Sequence, residues 1–406
     1  MVRRTRALMA VMLLLGACGQ ASSSPARGPS AAGDVLYIST ETGLRLVSSD
    51  SGDGIVDVPG GIASPDNSVL VATERDGAET VVRRMDADGK ELTRWKVPGE
   101  VEARVVSPLG TSVALTEATG DSASDPYTPV PRERTRVVVA TADGSVEEFD
   151  LPGNFEPEAF STEDDELFLL EYLPALAPTK YRVRRLLLGK GIVQPIGRLK
   201  TAAPNQMQGT GRAQVYSPWG DELYTLYTQQ SSAGHESGAF SGNHAFVHLL
   251  NLSGSWTHCI DLPHTFGHGD ATASAITVSP DGTNLFVVDW TNGQVAVAGP
   301  KKVKVTRTAS VSFGAPDDRT FAAASDDLLY VGGGSEVVVL DAATLEVAFR
   351  WAAPDEVTGL ALSEDGVRLY VASGETVTAV DSASGEVTGE TEAEGALGLA
   401  HAAPAP

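Results

Sequence analysis

Six of the seven histidines in this 406-residue chain lie between residues 235 and 268: His235, His244, His248, His258, His264 and His268. Neutral imidazole binds zinc and copper, and carboxylates can complete such sites with oxygen. His235, His244, His264 and His268 therefore supply the residue types of a Zn or Cu centre, with Glu236 and Asp270 on the same ligand face. Their spacing carries less. There is no His-Glu-x-x-His run, and the His-x-x-x-His of "HTFGH" falls in no helix-period segment. A pair of solvated, histidine-rich loops accounts for the same residues without a metal. The decision rests on whether the fold brings those loops together.

Other chemistry is thinner. Ser-Pro pairs offer hydroxyls, but a Gly-x-Ser-x-Gly elbow is absent. "DSGDG", "DADG" and "ADG" look like pieces of Ca²⁺ loops, yet each sits between two strand-like runs and lacks the later Glu of an EF-hand. Turn chemistry explains them. It also explains the paired acids Asp164-Asp165 and Asp317-Asp318, expected in solvated turns. Cys259 lies in "WTHCIDL", which alternates like a strand, so a buried and inert thiol is expected.

The elements that must position these residues are legible from repetition. "VSPDGTNLFVVD" (278–289) returns as "LSEDGVRLYVAS" (362–373). Variants occur at 62–74, 106–118, 160–172, 216–228 and 323–334. Each is an apolar run, a turn rich in Ser, Pro, Asp and Gly, and a second apolar run: a β-hairpin. Two more strand-like runs follow each hairpin, as in "TVTAVD" and "EVTGET". Units of four antiparallel strands, A to D, repeating every ~40–50 residues predict an all-β propeller. "GDVLYIST" (33–40) is a B strand without its A strand, and "GALGLAHAA" (395–403) is an A strand without its B. Pairing them closes the ring and removes two exposed edges. Seven hairpins plus this closing pair give eight blades; seven blades would require one matched hairpin to be something else.

Strand parity then assigns faces. A–B and C–D turns share one rim of the ring; B–C and D–A connections share the other. The five long insertions, at 119–135, 173–180, 200–212, 229–243 and 262–274, are all B–C or D–A connections. One face is therefore rich in loops able to hold a ligand. His235 and His244 flank one of these loops and His264 and His268 occupy the next, over blades 5 and 6. His248 and His258 fall in strands C and D and are expected to serve blade packing.

The phrases "VSPDGTNLFVVD" and "LSEDGVRLYVASGETVTAVDSASGEV" resemble the YVTN-type propeller repeat, clearly over residues 275–401 and in degenerate form before that. The usual Gly-x-x-Pro ahead of strand A is missing in most blades, as is Asn after Leu-Tyr-Val-Ala. The resemblance implies the propeller fold and a family of mixed roles, with lactonases among related propellers.

The start of the chain gives an address. "MVRRTR" is basic, "ALMAVMLLL" (7–15) is apolar but short for a bilayer span, and "LGAC" ends at Cys18. This resembles a bacterial lipobox, which implies removal of residues 1–17 and lipidation of Cys18. Residues 18–33 then read as a flexible tether and 34–406 as the propeller. An extracytoplasmic, membrane-anchored monomer follows as the expectation. The formal charge of −23 disfavours nucleic acid and fits a protein or small-molecule partner. Two functions stay open: a binding module acting through the loop-rich face, or a metal-dependent or lactonase-like hydrolase.

Overall fold

The structure, a computed structural model, describes residues 33–118, 130–198, 206–207, 211–231, 243–269, 271–314 and 319–405. Its hairpins are built by the recurrent serine. In six of them the Ser Oγ accepts the backbone N–H five residues on, at Val69, Ser112, Glu166, Glu222, Asn284 and Arg368. In the shorter seventh turn Ser325 accepts from Leu328. The same hydroxyl usually donates to a turn carboxylate, as Ser279 does to Asp281 and Ser363 to Asp365, both at 2.6 Å. Hydroxyl donation holds the Asp281 carboxyl below the usual carboxylate range. The Ser-Pro-Asp-Gly motif is thus a latch that fixes the reversal and satisfies buried polar groups.

Blade 3 breaks the pattern, because its turn reads Ser-Pro-Leu-Gly and has no carboxylate of its own. Asp164, from the turn of blade 4, fills the gap. Its Oδ2 accepts from Ser107 and Ser112 at 2.9 Å and from the Thr111 hydroxyl. This corrects the expectation that the Asp164-Asp165 pair is merely solvated: Asp164 bridges two blades, and Asp165 accepts from Ser161 at 2.8 Å. Asp317 and Asp318 lie outside the described residues.

Eight sheets form the ring. Blades 2 to 8 occupy residues 62–98, 101–152, 154–195, 211–261, 274–310, 320–352 and 357–392. Blade 1 combines strands Asp34–Thr40, Gly43–Ser48 and Gly54–Pro59 with the C-terminal Gly398–Pro404. Its register runs from Asp34↔Pro404 to Ser39↔Gly398, so the predicted closure is present. One sheet departs from four strands: Gly197–Arg198 adds a fifth, parallel to the outer strand of blade 5.

Eight apolar clusters occupy the eight interfaces between neighbouring blades. Middle strands serve two interfaces at once. In blade 7, Leu329 and Val331 pack toward blade 6, whereas Tyr330 packs toward blade 8. This explains why the middle strands read as continuous β-branched runs rather than alternating ones. Each fully buried Val or Leu contributes roughly 1.5–3 kcal/mol before ordering costs. Tyrosines of strand B add polar links across the same interfaces. Tyr37 Oη donates to the Asn67 carbonyl at 2.9 Å, Tyr330 to Ser382 at 3.0 Å, and Tyr370 to Asp34 Oδ2 at 2.6 Å. Cys259 is half-buried on the outer strand of blade 5, not buried as expected.

Candidate functional site

Parity holds in three dimensions: the B–C and D–A connections share one rim. Of the predicted metal residues, His235, Glu236 and Asp270 lie outside the described residues. His244 sits in strand Asn243–Asn251, opposite Gln230 and two residues before Phe246. Phe246 in turn pairs with Asp261, next to the loop that carries His264. His264 and His268 are exposed on that loop. Phe266, 1% exposed, anchors it in the interface between blades 5 and 6. His268 Nε2 donates to the His264 carbonyl at 2.7 Å. The His268 carbonyl accepts from Asn292 at 2.6 Å, and Gly267 N–H donates to Asp289. The backbone thus brings His244, His264 and His268 to one sector of the rim. Among the described residues no group of three or more His, Cys, Asp or Glu is arranged to hold a metal. His248 is buried on strand C and His258 half-buried on strand D.

A second concentration of chemistry lies in the axial channel. The inner strands of blades 6 to 8 read "SAITV", "TFAAA" and "VTGLAL" and carry no charge. Those of blades 3 and 4 read "VEARVV" and "NFEPEAF", and that of blade 5 carries Gln214. Charge therefore lines one side of the ring. A cavity of 720 Å³ opens between loops at Thr42 and Gly60 on the loop-rich rim, and its wall includes Glu41, Glu74, Arg75, Glu100, Glu102 and Arg104. A smaller cavity of 150 Å³ lies further along the channel, with Arg104, Glu158, Gln214 and Tyr216 in its wall. Arg104 belongs to both and marks the boundary between them.

Most of these side chains are held in place. Glu102 lies 3.2 Å from Arg104 Nη2, and Arg104 Nε donates to Thr116 at 3.1 Å. Gln214 donates to Glu158 at 2.9 Å and to Thr225 at 3.1 Å. Arg75 pairs with Glu100 at the mouth. Behind Arg104 lies Glu156, with Arg104 Nε 3.6 Å from its Oε2. Arg132, from the B–C connection of blade 3, donates to Glu156 Oε1. Asn154 fastens this region by donating to the carbonyls of Val130 and Ala175, at 2.6 and 3.1 Å. Burial, and next the charge of Arg104, push the Arg132 guanidinium below its ordinary pKa.

Sequence reasoning drew attention to the loop-rich face and did not single out these channel residues. The available signal was a comparison among inner strands: Glu102, Arg104, Glu156 and Glu158 stand where blades 6 to 8 carry Ser, Thr, Ile, Ala or Leu.

No known protein family matches the chain, and no curated protein matches it in sequence. Solved structures match it in shape. Apo AztD from Citrobacter koseri is 11% identical with a TM-score of 0.56, over 92% of this chain and 98% of that one. Sqt1 from Saccharomyces cerevisiae is 10% identical with a TM-score of 0.52, over 82% and 84%. Dihydro-heme d1 dehydrogenase NirN in complex with DHE is 15% identical with a TM-score of 0.51, over 91% and 74%. At such identities the likeness is one of fold: this chain is an eight-bladed β-propeller.

Proposed function

We propose that the chain is a binding module of the bacterial envelope, anchored through lipidated Cys18 and related to the YVTN-type propellers. Its ligand or partner binds at the loop-rich face, and the molecule acts as a monomer. The observation that carries this reading is the 720 Å³ cavity at the channel mouth, on the rim where the long connections gather. That volume is of the size ligand pockets have, and its few charged groups are fixed in direction. Ala118 lines the cavity, so Ala118→Trp narrows it without touching a blade interface. A thermal-unfolding screen against classes of soluble small molecules tests the reading. Cavity ligands raise the midpoint of the native chain and leave Ala118→Trp unchanged. Stabilisation that persists in Ala118→Trp places binding elsewhere and removes the support. For the anchor, Cys18→Ser is expected to release the protein from membranes, read by fractionation.

One observation favours a second reading, an extracytoplasmic metal-dependent or lactonase-like hydrolase. His264 and His268 are exposed on one loop, and the backbone brings His244 beside it. His235, His244, His264 and His268 would hold Zn or Cu in that case. Zinc titration of the chain followed calorimetrically tests it. Stoichiometric binding lost in a His264→Ala, His268→Ala double variant supports the metal site; equal heats in both proteins discard it.

A further inference from the structure

We propose that the short-turn rim carries a membrane contact of its own, an apolar tip built by Trp219 and Leu109 that enters the interfacial layer of a phospholipid bilayer. This rests on the anchoring through Cys18 proposed above and adds a protein surface that orients the domain.

The two residues hold the same place in two A–B turns, Ser107-Pro108-Leu109-Gly110 of blade 3 and Ser217-Pro218-Trp219-Gly220 of blade 5. Blades 2 and 6 put Asp66 and Asp281 there, as part of the serine latch. Leu109 and Trp219 are 60% and 62% exposed, more than any other large apolar side chain among the described residues. Of the five tryptophans only Trp219 is exposed. The turns adjoin. A Cβ added at Gly220 would stand 3.5 Å from the Pro108 Cβ, and one added at Gly282 would collide with the Trp219 ring, which leans over the turn of blade 6. Ser107 and Ser217 latch the two turns from within. The tip is therefore preformed, and burying it costs little ordering entropy.

The tip belongs to a wider asymmetry. Eleven large apolar side chains are exposed among the described residues, and only Leu176 and Leu397 of these lie on the loop-rich rim. The others sit in A–B turns or at the start of outer strands, all on the short-turn rim. Scattered apolar exposure is ordinary, but its concentration on one face marks a contact surface.

The entry of the chain says what covers this face. Residue 33 joins the propeller on the same rim, and Cys18 lies fifteen positions earlier. With Cys18 in lipid, the short-turn rim is held beside the bilayer surface. Indole, an apolar body with one N–H donor, favours the interfacial layer over both water and hydrocarbon. Charge permits the approach in this sector. Lys190 ends the C–D turn of blade 4, and Lys301 and Lys302 lie in that of blade 6, all exposed and on either side of blade 5. They offset part of the acidic charge of the neighbouring turns, where Asp221 and Asp281 accept from Ser217 and Ser279 at 2.6 Å. Two such side chains contribute at most roughly 1.5–3 kcal/mol each. That is too little to hold the chain alone, but it orients a domain that an acyl anchor already keeps at the surface.

The lipidated full chain is reconstituted in phosphatidylcholine vesicles with and without brominated phosphatidylcholine, a contact quencher of indole emission. Brominated lipid is expected to quench the native chain, and Trp219→Phe to lose most of that quenching. Leu109→Glu, which leaves every tryptophan in place, should cut it by about threefold or more, as when one of two apolar contacts is withdrawn. Leu176→Glu, the same change on the loop-rich rim, should leave it unaltered. Quenching no greater in the native chain than in Trp219→Phe overturns the contact, as does an equal loss in the two Glu variants. Dimerisation that Trp219→Ser abolishes, without quenching by lipid, would give the tip to a second copy and overturn the bilayer. If the chain proves to carry no lipid, the anchor falls on its own. The soluble chain is then mixed with the same vesicles, where quenching of Trp219 keeps the tip and its absence removes it.

Discussion

Asp164 does work for a blade other than its own. Three hydroxyls of the blade 3 turn donate to one of its oxygens, in a place where the other Ser-Pro turns use an Asp of their own, Asp66, Asp221 or Asp281. Asp164→Ala leaves those hydroxyls without their acceptor and should destabilise the fold by roughly 2–3 kcal/mol, measured by urea unfolding. Leu109 occupies the position of the missing carboxylate and is 60% exposed. Leu109→Asp, added to Asp164→Ala, should recover part of the loss; no recovery would show that the turn does not need the charge. The seven Ser-initiated turns were readable because a latch recurs at fixed spacing. The donation from Asp164 was not, since it joins turns 57 residues apart and needs the ring to bring them together. His401 offers a second prediction at this scale. It packs edge-on against Tyr37 at 5.4 Å, and burial holds its pKa below the ordinary value of 6.5. The folded state therefore favours the neutral ring. Its contribution is complete above about pH 6.5 and is lost as pH falls through the lower, folded value. His401→Gln should flatten that part of the midpoint-versus-pH curve; an unchanged slope would assign the acid sensitivity to carboxylates alone.

Strand Asp34–Thr40 owes its place to both ends of the chain. Backbone pairing with Gly398–Pro404 closes the ring, and Tyr370 of blade 8 reaches across to Asp34. Burial and the Asp34 carboxylate push the Tyr370 hydroxyl up to about 12. Asp34 is 5% exposed, and its other described partner, Arg368, stands 3.4 Å away. Tyr370→Phe leaves a buried carboxylate short of a donor, which should cost roughly 1–3 kcal/mol. The loss should be local at first. Hydrogen exchange should accelerate over 34–40 and 398–404 before it does so in blades 3 to 6; uniform acceleration would mean that closure is not the weak joint. The closure was legible because "GDVLYIST" lacks an A strand and "GALGLAHAA" lacks a B strand. The charged inner strands were not read as a site for a physical reason. Glu102 and Arg104 alternate with apolar neighbours like any half-exposed strand, and only the assembled ring shows that their open side is a channel.

At the scale of the whole molecule, parity and the anchor combine. Strand Asp34–Thr40 is a B strand, and B strands start on the rim of short turns. Its first residue pairs with Pro404, and the Asp34 carbonyl accepts from Ser49 in the C–D turn on that rim. Residue 33 therefore enters the propeller on the rim opposite the cavity. On the anchoring proposed above, the short-turn rim stays near the bilayer, and the loop-rich rim, with Arg104 and His264, faces away toward diffusing ligands. The net charge of −23 opposes collapse of the domain onto an anionic surface. Energy transfer to an acceptor dye in the lipid measures this arrangement. In a Cys259→Ser background, a donor attached through Ser51→Cys on the short-turn rim should transfer more strongly than one attached through Thr42→Cys on the loop-rich rim. Raising the salt concentration should narrow the gap, because screening weakens the repulsion that holds the domain off the surface. Equal transfer from both positions at low salt would mean that the tether lets the propeller tumble freely and that neither rim is preferentially presented.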